Sequence, residues 1–444
     1  MAVLASALAP GRAEAAPARK NLKVLVIGAG MAGLAAASTL HSRGVPVTLL
    51  EGRDRIGGRV WTDRSLGSPV DLGASWIEGV SGNPIRDLAK RFKIQTSETD
   101  HDDTVLYEFD GTRVSSRRGE EIYSEFHSLM KEIDQLAGRL DKDISVGEAL
   151  TRILDGEELS NADQRALDLC RTGLVVTTGA ELDDLSLRYL DADEGFDGKD
   201  VIFPGGYDQI AKGLAVGLDI RLRTGVKKIE HGPGGVRIST ADQTIEADVA
   251  VVTLPLGVLK NGMVEFSPAL PRAKREAAGR MRMGVLNKIA LDFPEAFWPA
   301  DSNFFAYMSK RAGEYPDFIN MQKHTRAPVL VCFTGGDFAR GLEQKSEDQI
   351  QKEVMTVLRR MFGKGIPEPR KMAVTRWGGD PFSRGSYSYV PVGATNKNYD
   401  ILAEPLAEGR LRFAGEATIR KYPGTVHGAF LSGVREAEAI LEES

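Results

Sequence analysis

Short apolar runs alternate along this chain with longer segments whose apolar positions recur at helical spacing. Residues 22–27, 47–50 and 249–253 are rich in valine, leucine and isoleucine, a pattern typical of strands buried on both faces of a parallel sheet. An alanine-rich segment, residues 31–43, lies between the first two runs and is followed by Gly44, a residue type that often ends a helix. This strand–helix–strand order predicts an α/β fold.

The segment between residues 120 and 190 is predicted to be helical. Ser145 with Glu148, and Asn161 with Gln164, have the spacing of capping boxes, which predicts that helices begin at both places. We interpret this insertion as the cap of a substrate domain; a plain helical bundle would have the same pattern. The apolar positions that predict a further amphipathic helix are Ile122, Phe126, Leu129, Ile133, Leu136 and Leu140.

Strands are predicted again in the second half of the chain. Runs at residues 220–222 and 226–230 precede a glycine-rich turn, and residues 283–291 begin a further group of short strands. Residues 349–362 have the periodicity of an amphipathic helix. Lys288 lies inside an otherwise apolar strand, where a lysine costs free energy unless it is paired. The alternative is that Lys288 points outward from an edge strand.

Length and composition narrow the class of protein. A chain of 444 residues allows two or three domains, and 42% hydrophobic with 27% charged residues is ordinary for a globular protein. The net charge of −5 disfavours nucleic acid as the main partner and permits a cationic substrate. Cys170 and Cys332 provide neither a disulfide framework nor a metal-ligand spacing, so we predict two buried thiols and no metal site. No apolar run is long enough to predict a membrane span.

Residues 1–20 are excluded from the predicted fold. Residues 2–10 are apolar, and the alanine-rich residues 13–16 resemble a cleavage site. This segment is predicted to be either a disordered tail or the remnant of an export signal. The predicted location is accordingly the cytoplasm or, by folded export, the periplasm.

A glycine motif follows the first predicted strand. Gly28, Gly30 and Gly33 have the G-x-G-x-x-G spacing that allows a tight turn, a close approach of a pyrophosphate, and close helix–strand packing. Glu51 ends the second strand about twenty residues later, where a carboxylate binds the hydroxyls of an adenosine ribose and disfavours NADP. The motif predicts a dinucleotide site and leaves NAD and FAD open.

Two motifs after Glu51 carry a family resemblance. Gly57 and Gly58 directly precede Arg59, an arrangement that brings amides and a guanidinium to a diphosphate, and residues 71–79 read DLGASWIEG. Residues 28–79 resemble the flavin-dependent amine oxidases, which include monoamine oxidases, polyamine oxidases and lysine-specific histone demethylases. The resemblance extends over residues 22–442.

The resemblance implies two interleaved domains and FAD as the cofactor. A Rossmann-type FAD-binding domain would comprise residues 21–81, 201–283 and 385–444, and an α+β substrate-binding domain residues 82–200 and 284–384. Ser386 occupies the position of the cysteine that monoamine oxidases bond to FAD, which implies noncovalent binding. The residues assigned to FAD are Gly28, Gly30, Met31, Ala32, Gly33, Glu51, Gly52, Arg53, Gly57, Gly58, Arg59, Gly73, Ala74, Ser75, Trp76, Val226, Trp377, Gly415, Glu416, Thr425 and Val426.

The implied reaction is oxidation of an amine C–N bond. Hydride transfer to flavin N5 would give an imine that hydrolyses to an aldehyde and an amine, and O2 would be reduced to H2O2. By resemblance, Lys288 holds a water against N5, Trp377 lies at the flavin edge and Tyr387 forms one wall of an aromatic cage. Thr425 replaces the tyrosine that forms the second wall in monoamine oxidases, and it begins a last helix whose positive end would face the flavin. We predict a structural role for His427 at this helix start.

A polyamine or diamine is the predicted substrate. Glu78, next to Trp76, matches a glutamate of the substrate tunnel in polyamine oxidases, and Asp193 and Glu194 lie in an acidic segment that could face the tunnel mouth. A solvated acidic loop is the alternative for that segment. Histone demethylation is disfavoured, because those enzymes add a helical tower and a chromatin-binding module for which this chain has no room.

Three other functions stay open from the sequence. They are a monoamine oxidase, a flavoprotein without oxidase turnover, and an L-amino acid oxidase, in which Arg64 could bind the substrate carboxylate. Small molecules, an amine and O2, are the predicted partners in each oxidase reading. The oligomeric state cannot be read from the sequence.

Overall fold

A computed structural model describes residues 22–190 and 194–443 of the chain. The predictions for residues 1–20 and for Asp193 lie outside the described residues.

The strands are numbered in chain order, and most of them are short. They are β1 (Val24–Ile27), β2 (Val47–Leu50), β3 (Thr62–Asp63), β4 (Val70–Asp71), β5 (Trp76–Ile77), β6 (Ser97–Thr99), β7 (Thr104–Glu108), β8 (Asp200–Ile202), β9 (Asp219–Arg221), β10 (Lys228–Gly232), β11 (Gly235–Ser239), β12 (Thr244–Ala247), β13 (Val249–Val252), β14 (Glu265–Ser267), β15 (Arg282–Met283), β16 (Leu286–Asp292), β17 (Phe304–Met308), β18 (Asp317–Asn320), β19 (Val329–Gly335), β20 (Lys371–Val374), β21 (Ser388–Tyr389) and β22 (Leu411–Phe413).

The helices are numbered in the same way. They are α1 (Met31–Ser42), α2 (Pro84–Arg91), α3 (Ser116–Ala137), α4 (Val146–Ile153), α5 (Asn161–Thr178), α6 (Asp208–Ala215), α7 (Leu256–Lys260), α8 (Arg272–Arg280), α9 (Met321–Thr325), α10 (Gly336–Leu342), α11 (Glu347–Phe362), α12 (Lys397–Ala403) and α13 (Val426–Glu443), with a 3₁₀ turn at Glu416–Thr418. None of the helices in the described ranges combines the length and the apolarity that crossing a membrane requires.

A five-stranded parallel sheet forms the first layer, in the order β22-β13-β1-β2-β9. The apolar residues of helices α1 and α13 pack against one face of this sheet. Residues of the four-stranded sheet β12-β11-β10-β14 pack against the other face. The central strands are buried at every position because both faces are covered. The predicted parallel α/β sheet is therefore confirmed.

A six-stranded mixed sheet forms the second large layer, in the order β20-β16-β19-β18-β17-β7. Alternate residues face opposite sides of such a sheet. One set packs with the apolar residues of α11, and the other set forms a second apolar cluster with residues of the segment 61–76 and Ile202. Together with the parallel sheet, this arrangement is the predicted fold class, a Rossmann-type layer combined with an α+β layer.

The helical predictions hold with two corrections. Helix α3 ends at Ala137, so Leu140 lies beyond the helix that its spacing predicted. Ser145 caps α4 as predicted, since its hydroxyl accepts the N–H of Glu148 at 3.0 Å. The cap of α5 is Ser160 and not Asn161: the extended backbone of Ser160 lets its hydroxyl accept the N–H of Asp163 at 3.2 Å.

Candidate active site

A cavity of about 1140 Å³ is lined by residues from both large sheets. It brings together nearly all the residues that the sequence assigned to FAD and to catalysis, although they come from widely separated parts of the chain. These lining residues are Gly28, Gly30, Met31, Ala32, Glu51, Gly52, Arg53, Gly57, Gly58, Arg59, Gly73, Ala74, Ser75, Trp76, Glu78, Val226, Lys288, Trp377, Tyr387, Gly415, Glu416, Thr425 and Val426.

Two predicted site residues do not line the cavity. Gly33 lies behind it, where a Cβ would come within 1.9 Å of the carbonyl oxygen of Gly28, so it serves close helix–strand packing. Glu194 is mostly exposed and its carboxylate pairs with Lys421 at 2.7 Å. Its partner Lys421 directly follows Arg420, which lines the cavity, so a place for Glu194 at the cavity mouth stays a prediction.

One end of the cavity has the form of a dinucleotide cradle. Gly28, at φ +105°, turns the chain between β1 and α1. A Cβ on Gly30 would meet no protein atom closer than the Cα of Gly58, at 4.0 Å, so space for a ligand adjoins this backbone. Glu51 is buried beside it, and its two carboxylate oxygens accept the N–H groups of Ala29 at 2.7 Å and Arg53 at 2.8 Å. The open backbone and the oriented carboxylate fit the pyrophosphate and ribose of FAD.

A partly buried ion pair and a helix start line the cavity. Arg59 donates to the carboxylate of Glu416 at 2.8 Å, and Glu416 also accepts from the hydroxyl of Ser388 at 2.6 Å. Thr425 caps α13, because its hydroxyl accepts the N–H of Gly428 at 2.9 Å. The first N–H groups of a helix have no partner within it, so this end of α13 presents positive partial charge to a flavin.

Lys288 lies inside the six-stranded sheet, since β16 is hydrogen-bonded to β19 on one side and β20 on the other. The edge-strand alternative is therefore wrong. Its ammonium donates to the carbonyl oxygens of Asp71 at 2.9 Å and Gly73 at 2.6 Å and to the hydroxyl of Ser75 at 2.5 Å. Burial lowers the pKa of Lys288 and raises that of the Asp71 carboxyl, and the attraction between the two opposes both shifts. The water against flavin N5 stays a prediction.

Two aromatic side chains in the cavity wall are held by hydrogen bonds. The hydroxyl of Tyr387 donates to the carbonyl oxygens of Val176 at 2.9 Å and Thr177 at 2.8 Å, near the end of α5. Burial raises the pKa of Tyr387, so its hydroxyl stays protonated at neutral pH. The indole N–H of Trp377 donates to the carbonyl oxygen of Leu72 at 3.2 Å.

The cavity is also lined by residues to which the sequence assigned no role, and we call the part around His101, Phe304 and Asp317 the substrate arm. His101 stacks on Phe304 with ring centres 4.8 Å apart and approaches Asp200 at 3.5 Å, and hydrogen bonding to Asp200 raises the pKa of His101. Asp317 lines the same arm, and burial raises its pKa to about 6. The strand DFIN begins with Asp317 and ends with an asparagine, so a charge there does not stand out in the sequence as Lys288 does inside its strand.

Arg64 and His427 bear on the alternative functions. The guanidinium of Arg64 binds both oxygens of Asp208 at 2.8 Å, and Arg64 is not among the residues that line the cavity. His427 is buried with its ring roughly perpendicular to those of Phe196 and Tyr422, which stack on each other, and burial lowers its pKa to about 4. A neutral, packed imidazole fits the structural role predicted for it.

Ser386 lines the cavity at the position where monoamine oxidases have the cysteine that bonds to FAD. Its hydroxyl accepts the N–H of Leu286 at 2.9 Å and donates to the carbonyl oxygen of the same residue at 3.0 Å. A serine oxygen cannot form the thioether that a cysteine forms there. The chain therefore holds its flavin without a covalent bond at this position.

Comparison with known proteins gives a family match over nearly the whole chain. The family described as "Flavin containing amine oxidoreductase" matches residues 31–441. Protein FLOWERING LOCUS D of Arabidopsis thaliana is 36% identical over 438 residues, 95% of this chain and 55% of that protein. Polyamine oxidase 2 of the same plant is 36% identical over 434 residues, 94% of this chain and 88% of that protein.

Solved structures agree in fold. Cyclohexylamine oxidase from Brevibacterium oxydans IH-35A superposes with a TM-score of 0.79 at 22% identity, over 95% of this chain and 99% of that one. Putrescine oxidase bound to putrescine superposes with a TM-score of 0.77 at 22% identity and the same coverage. The chain spans about half the length of FLOWERING LOCUS D and of the lysine-specific histone demethylase homologues that it matches. It belongs to the family of flavin-containing amine oxidoreductases, and its cofactor is FAD.

Proposed function

We propose that this chain oxidises a C–N bond of a polyamine or diamine with O2 as the electron acceptor. FAD held by the cradle at Glu51 and beside Arg59 and Glu416 would supply the acceptor for a hydride from the carbon next to the amine nitrogen, with O2, reduced to H2O2, as the final acceptor and water hydrolysing the imine. The observation that carries the proposal is the continuity of the cavity, in which the dinucleotide cradle at Glu51 joins an arm that contains Tyr387, Lys288 and Glu78.

We assign Tyr387 and Trp377 a positioning part in this reaction and neither Tyr387 nor His427 a part in proton abstraction. Tyr387 and Trp377 are fixed by hydrogen bonds and offer flat surfaces that hold a substrate carbon against the ring. Neither Tyr387 nor His427 has a pKa suited to a general base at neutral pH. The substrate must therefore arrive as, or become, a neutral amine at the reacting nitrogen, and we expect the rate to rise with pH.

Charge in the substrate arm supports a substrate with additional ammonium groups. Glu78, Asp102, Asp200 and Asp317 line the cavity, and such carboxylates attract and orient cations. An amino acid substrate would need a cation for its carboxylate. Arg64 does not supply it, because its guanidinium is bound to Asp208 away from the cavity.

Demethylation of a methylated lysine in a protein is a second candidate. Lysine-specific histone demethylase homologues of Arabidopsis thaliana and rice are 36–37% identical to this chain over at least 94% of it, as high as the identity to polyamine oxidase 2. Sequence identity thus does not separate the two substrate classes.

Anaerobic bleaching of the flavin tests the proposal. The purified yellow protein would be mixed with spermidine, spermine, putrescine, phenethylamine, leucine and a methylated lysine peptide. Fast bleaching by a polyamine or diamine, followed by H2O2 formation when air returns, is the expected result. Bleaching by leucine alone or by the peptide alone would refute the proposed substrate class, and bleaching by none of them would refute the proposed oxidase activity.

A further inference from the structure

A loop that follows the edge strand of the six-stranded sheet reaches the dinucleotide cradle. The loop comprises residues 380–383, shortly after β20, and residues 381–383 line the cavity. Gly52 and Arg53, which directly follow the cradle carboxylate of Glu51, line the same cavity. The 380–383 loop therefore meets the cradle at the end of the cavity where Glu51 is oriented for a ribose.

An ion pair fastens this loop to the cradle. The guanidinium of Arg53 donates to both carboxylate oxygens of Asp380, at 2.8 and 2.6 Å, and to the hydroxyl of Ser383 at 2.9 Å. The side chains of Arg53 and Asp380 are 12% and 22% exposed, so the pair is largely shielded from water. Charge-assisted hydrogen bonds in this two-point geometry are among the stronger ones in proteins and fix direction as well as distance.

An aromatic ring completes the contact between the loop and the cradle. The ring of Phe382 lies so close to Gly52 that a Cβ there would come within 2.4 Å of its Cε1 atom. The N–H of Phe382 donates to the carboxylate of Asp380 at 2.9 Å, and the ring centre lies 5.3 Å from the guanidinium carbon of Arg53. One carboxylate thus orients both the guanidinium and the residue that carries the ring. Gly52, which the sequence assigned to FAD, also provides the space into which the loop packs.

The structures on either side of this contact are held without it. The carbonyl oxygens of Glu51 and Arg53 accept N–H groups of the segment 223–224, at 2.7 and 2.8 Å. On the other side, the main-chain N–H and the indole N–H of Trp377 both donate to partners outside the loop. Opening the ion pair would therefore free the 380–383 loop while the cradle backbone and Trp377 keep their own hydrogen bonds.

We infer that Asp380 is a positioning residue for the cofactor: by binding Arg53 it holds the 380–383 loop as a wall at the ribose end of the FAD site, and FAD is released when this ion pair opens. This role concerns retention of the cofactor and does not depend on which amine the chain oxidises. A carboxylate offers no charge attraction to an anionic cofactor, so the contribution of Asp380 is to close the site. Such closure slows release more than it changes binding.

Release of FAD from the loaded protein tests this role in Asp380→Asn. The substitution keeps the shape of the side chain, removes its charge and replaces one acceptor by a donor. We expect the dissociation rate of FAD, measured as the rise of free-flavin fluorescence after dilution, to increase by about tenfold to 100-fold. The association rate should change by less than about threefold. With FAD in excess, kcat should also change by less than about threefold, since Trp377 keeps its hydrogen bonds.

A double-mutant cycle tests whether Asp380 acts through Arg53. Arg53→Lys keeps the positive charge and removes the two-point geometry, so it should also accelerate release. The double variant should release FAD no faster than the faster of the two single variants, because both remove the same interaction. Asp380→Glu retains the charge and both acceptors and should release FAD more slowly than Asp380→Asn. If Asp380→Asn does not fold, Asp380→Glu takes its place in the cycle.

The ion pair of Asp292 and Arg370 provides a matched control. It has the same two-point geometry, at 2.7 and 3.0 Å, it joins the end of β16 to the residue before β20, and neither partner is among the residues that line the cavity. Asp292→Asn should leave the dissociation rate of FAD within about twofold of the wild-type value, because the pair is independent of the cofactor site.

Several results would overturn the role of Asp380. Wild-type release of FAD in Asp380→Asn would do so directly, and equal acceleration in Asp292→Asn would do so because general loosening of the fold would then explain the change. Slower release in Asp380→Asn would mean that the carboxylate acts only by repelling the anionic cofactor. Additive effects of Arg53→Lys and Asp380→Asn would mean that Arg53 retains FAD independently of Asp380. Each of these measurements follows FAD and not the amine, so the proposed substrate class is tested separately.

Discussion

Substituting two glycines of the G-x-G-x-x-G motif should separate cofactor binding from folding. A Cβ on Gly30 would lie 4.0 Å from the nearest protein atom considered, the Cα of Gly58, and its φ of −76° is open to any residue. A Cβ on Gly33 would lie 1.9 Å from the carbonyl oxygen of Gly28, well inside contact distance. The same added methyl group thus meets a ligand at one position and the protein at the other.

The structure sets the expected magnitudes for both variants. Gly30→Ala should change the free energy of unfolding of the FAD-free protein by less than about 1 kcal/mol, because nothing in the protein must move. It should weaken FAD binding by about tenfold to 100-fold, because displacing the pyrophosphate costs charge-assisted hydrogen bonds of about 1.5–3 kcal/mol each. Gly33→Ala forces α1 away from β1 and should cost about 1–3 kcal/mol or more of folding stability.

Urea unfolding of the FAD-free proteins and titration with FAD, followed by flavin fluorescence, measure the two quantities separately. Gly33→Ala is the matched control, since it adds the same methyl group three residues away. Wild-type FAD affinity in Gly30→Ala would refute the assignment of this backbone to the pyrophosphate. Equal destabilisation of both variants would refute the argument that the space beside Gly30 belongs to the ligand.

Three further predictions concern the cavity wall and a buried lysine. Tyr387→Phe removes the hydroxyl that donates to the carbonyl oxygens of Val176 and Thr177. We expect kcat to fall by about fivefold, which corresponds to about 1 kcal/mol, while the dependence of kcat on pH is unchanged. A fall in kcat of more than about 100-fold, or the disappearance of one pH-dependent step from the rate profile, would indicate that Tyr387 takes part in acid–base chemistry. Arg64→Leu should leave amine oxidation nearly unchanged, and a selective loss of leucine oxidation would contradict its place outside the cavity. Lys274, buried with its ammonium on two carbonyl oxygens, has its pKa lowered to about 8 by burial. Between pH 8 and 10 this lysine is more often protonated in the unfolded chain than in the folded one. The free energy of unfolding of the wild type, relative to that of Lys274→Met, should therefore rise by up to about 1 kcal/mol per pH unit, as urea unfolding at each pH would measure. A difference between the two proteins that does not change with pH would refute the lowered pKa.

The family, the cofactor and the form of the parallel layer were accessible from contiguous stretches of sequence. Gly28, Gly30 and Gly33 lie in one strand–turn–helix segment, and Glu51 follows at the end of the next strand, so their chemistry depends on local backbone geometry. Ser386 excludes a thioether by its side-chain chemistry alone. The sequence also singled out Lys288 inside an apolar strand, but only the pairing of β16 on both sides excluded an outward-facing edge position.

Which residues face the substrate could not be predicted from local sequence, because it depends on contacts between segments far apart in the chain. The acidic composition around Glu194 predicted a place at the cavity mouth, but its partner there, Lys421, lies more than two hundred residues later in the chain. Arg64 was a candidate clamp until the structure paired it with Asp208, more than one hundred residues later.

What the sequence determined by itself is therefore the cofactor half of this protein, and what the tertiary structure decided is the substrate half. Asp317 has no motif around it, and it enters the cavity because strand pairing aligns it with Phe333 and Lys288. A shift of one residue in that register would turn it to the opposite face, toward the apolar residues of α11. Register between distant strands is set by packing of the whole sheet, and local patterns do not encode it.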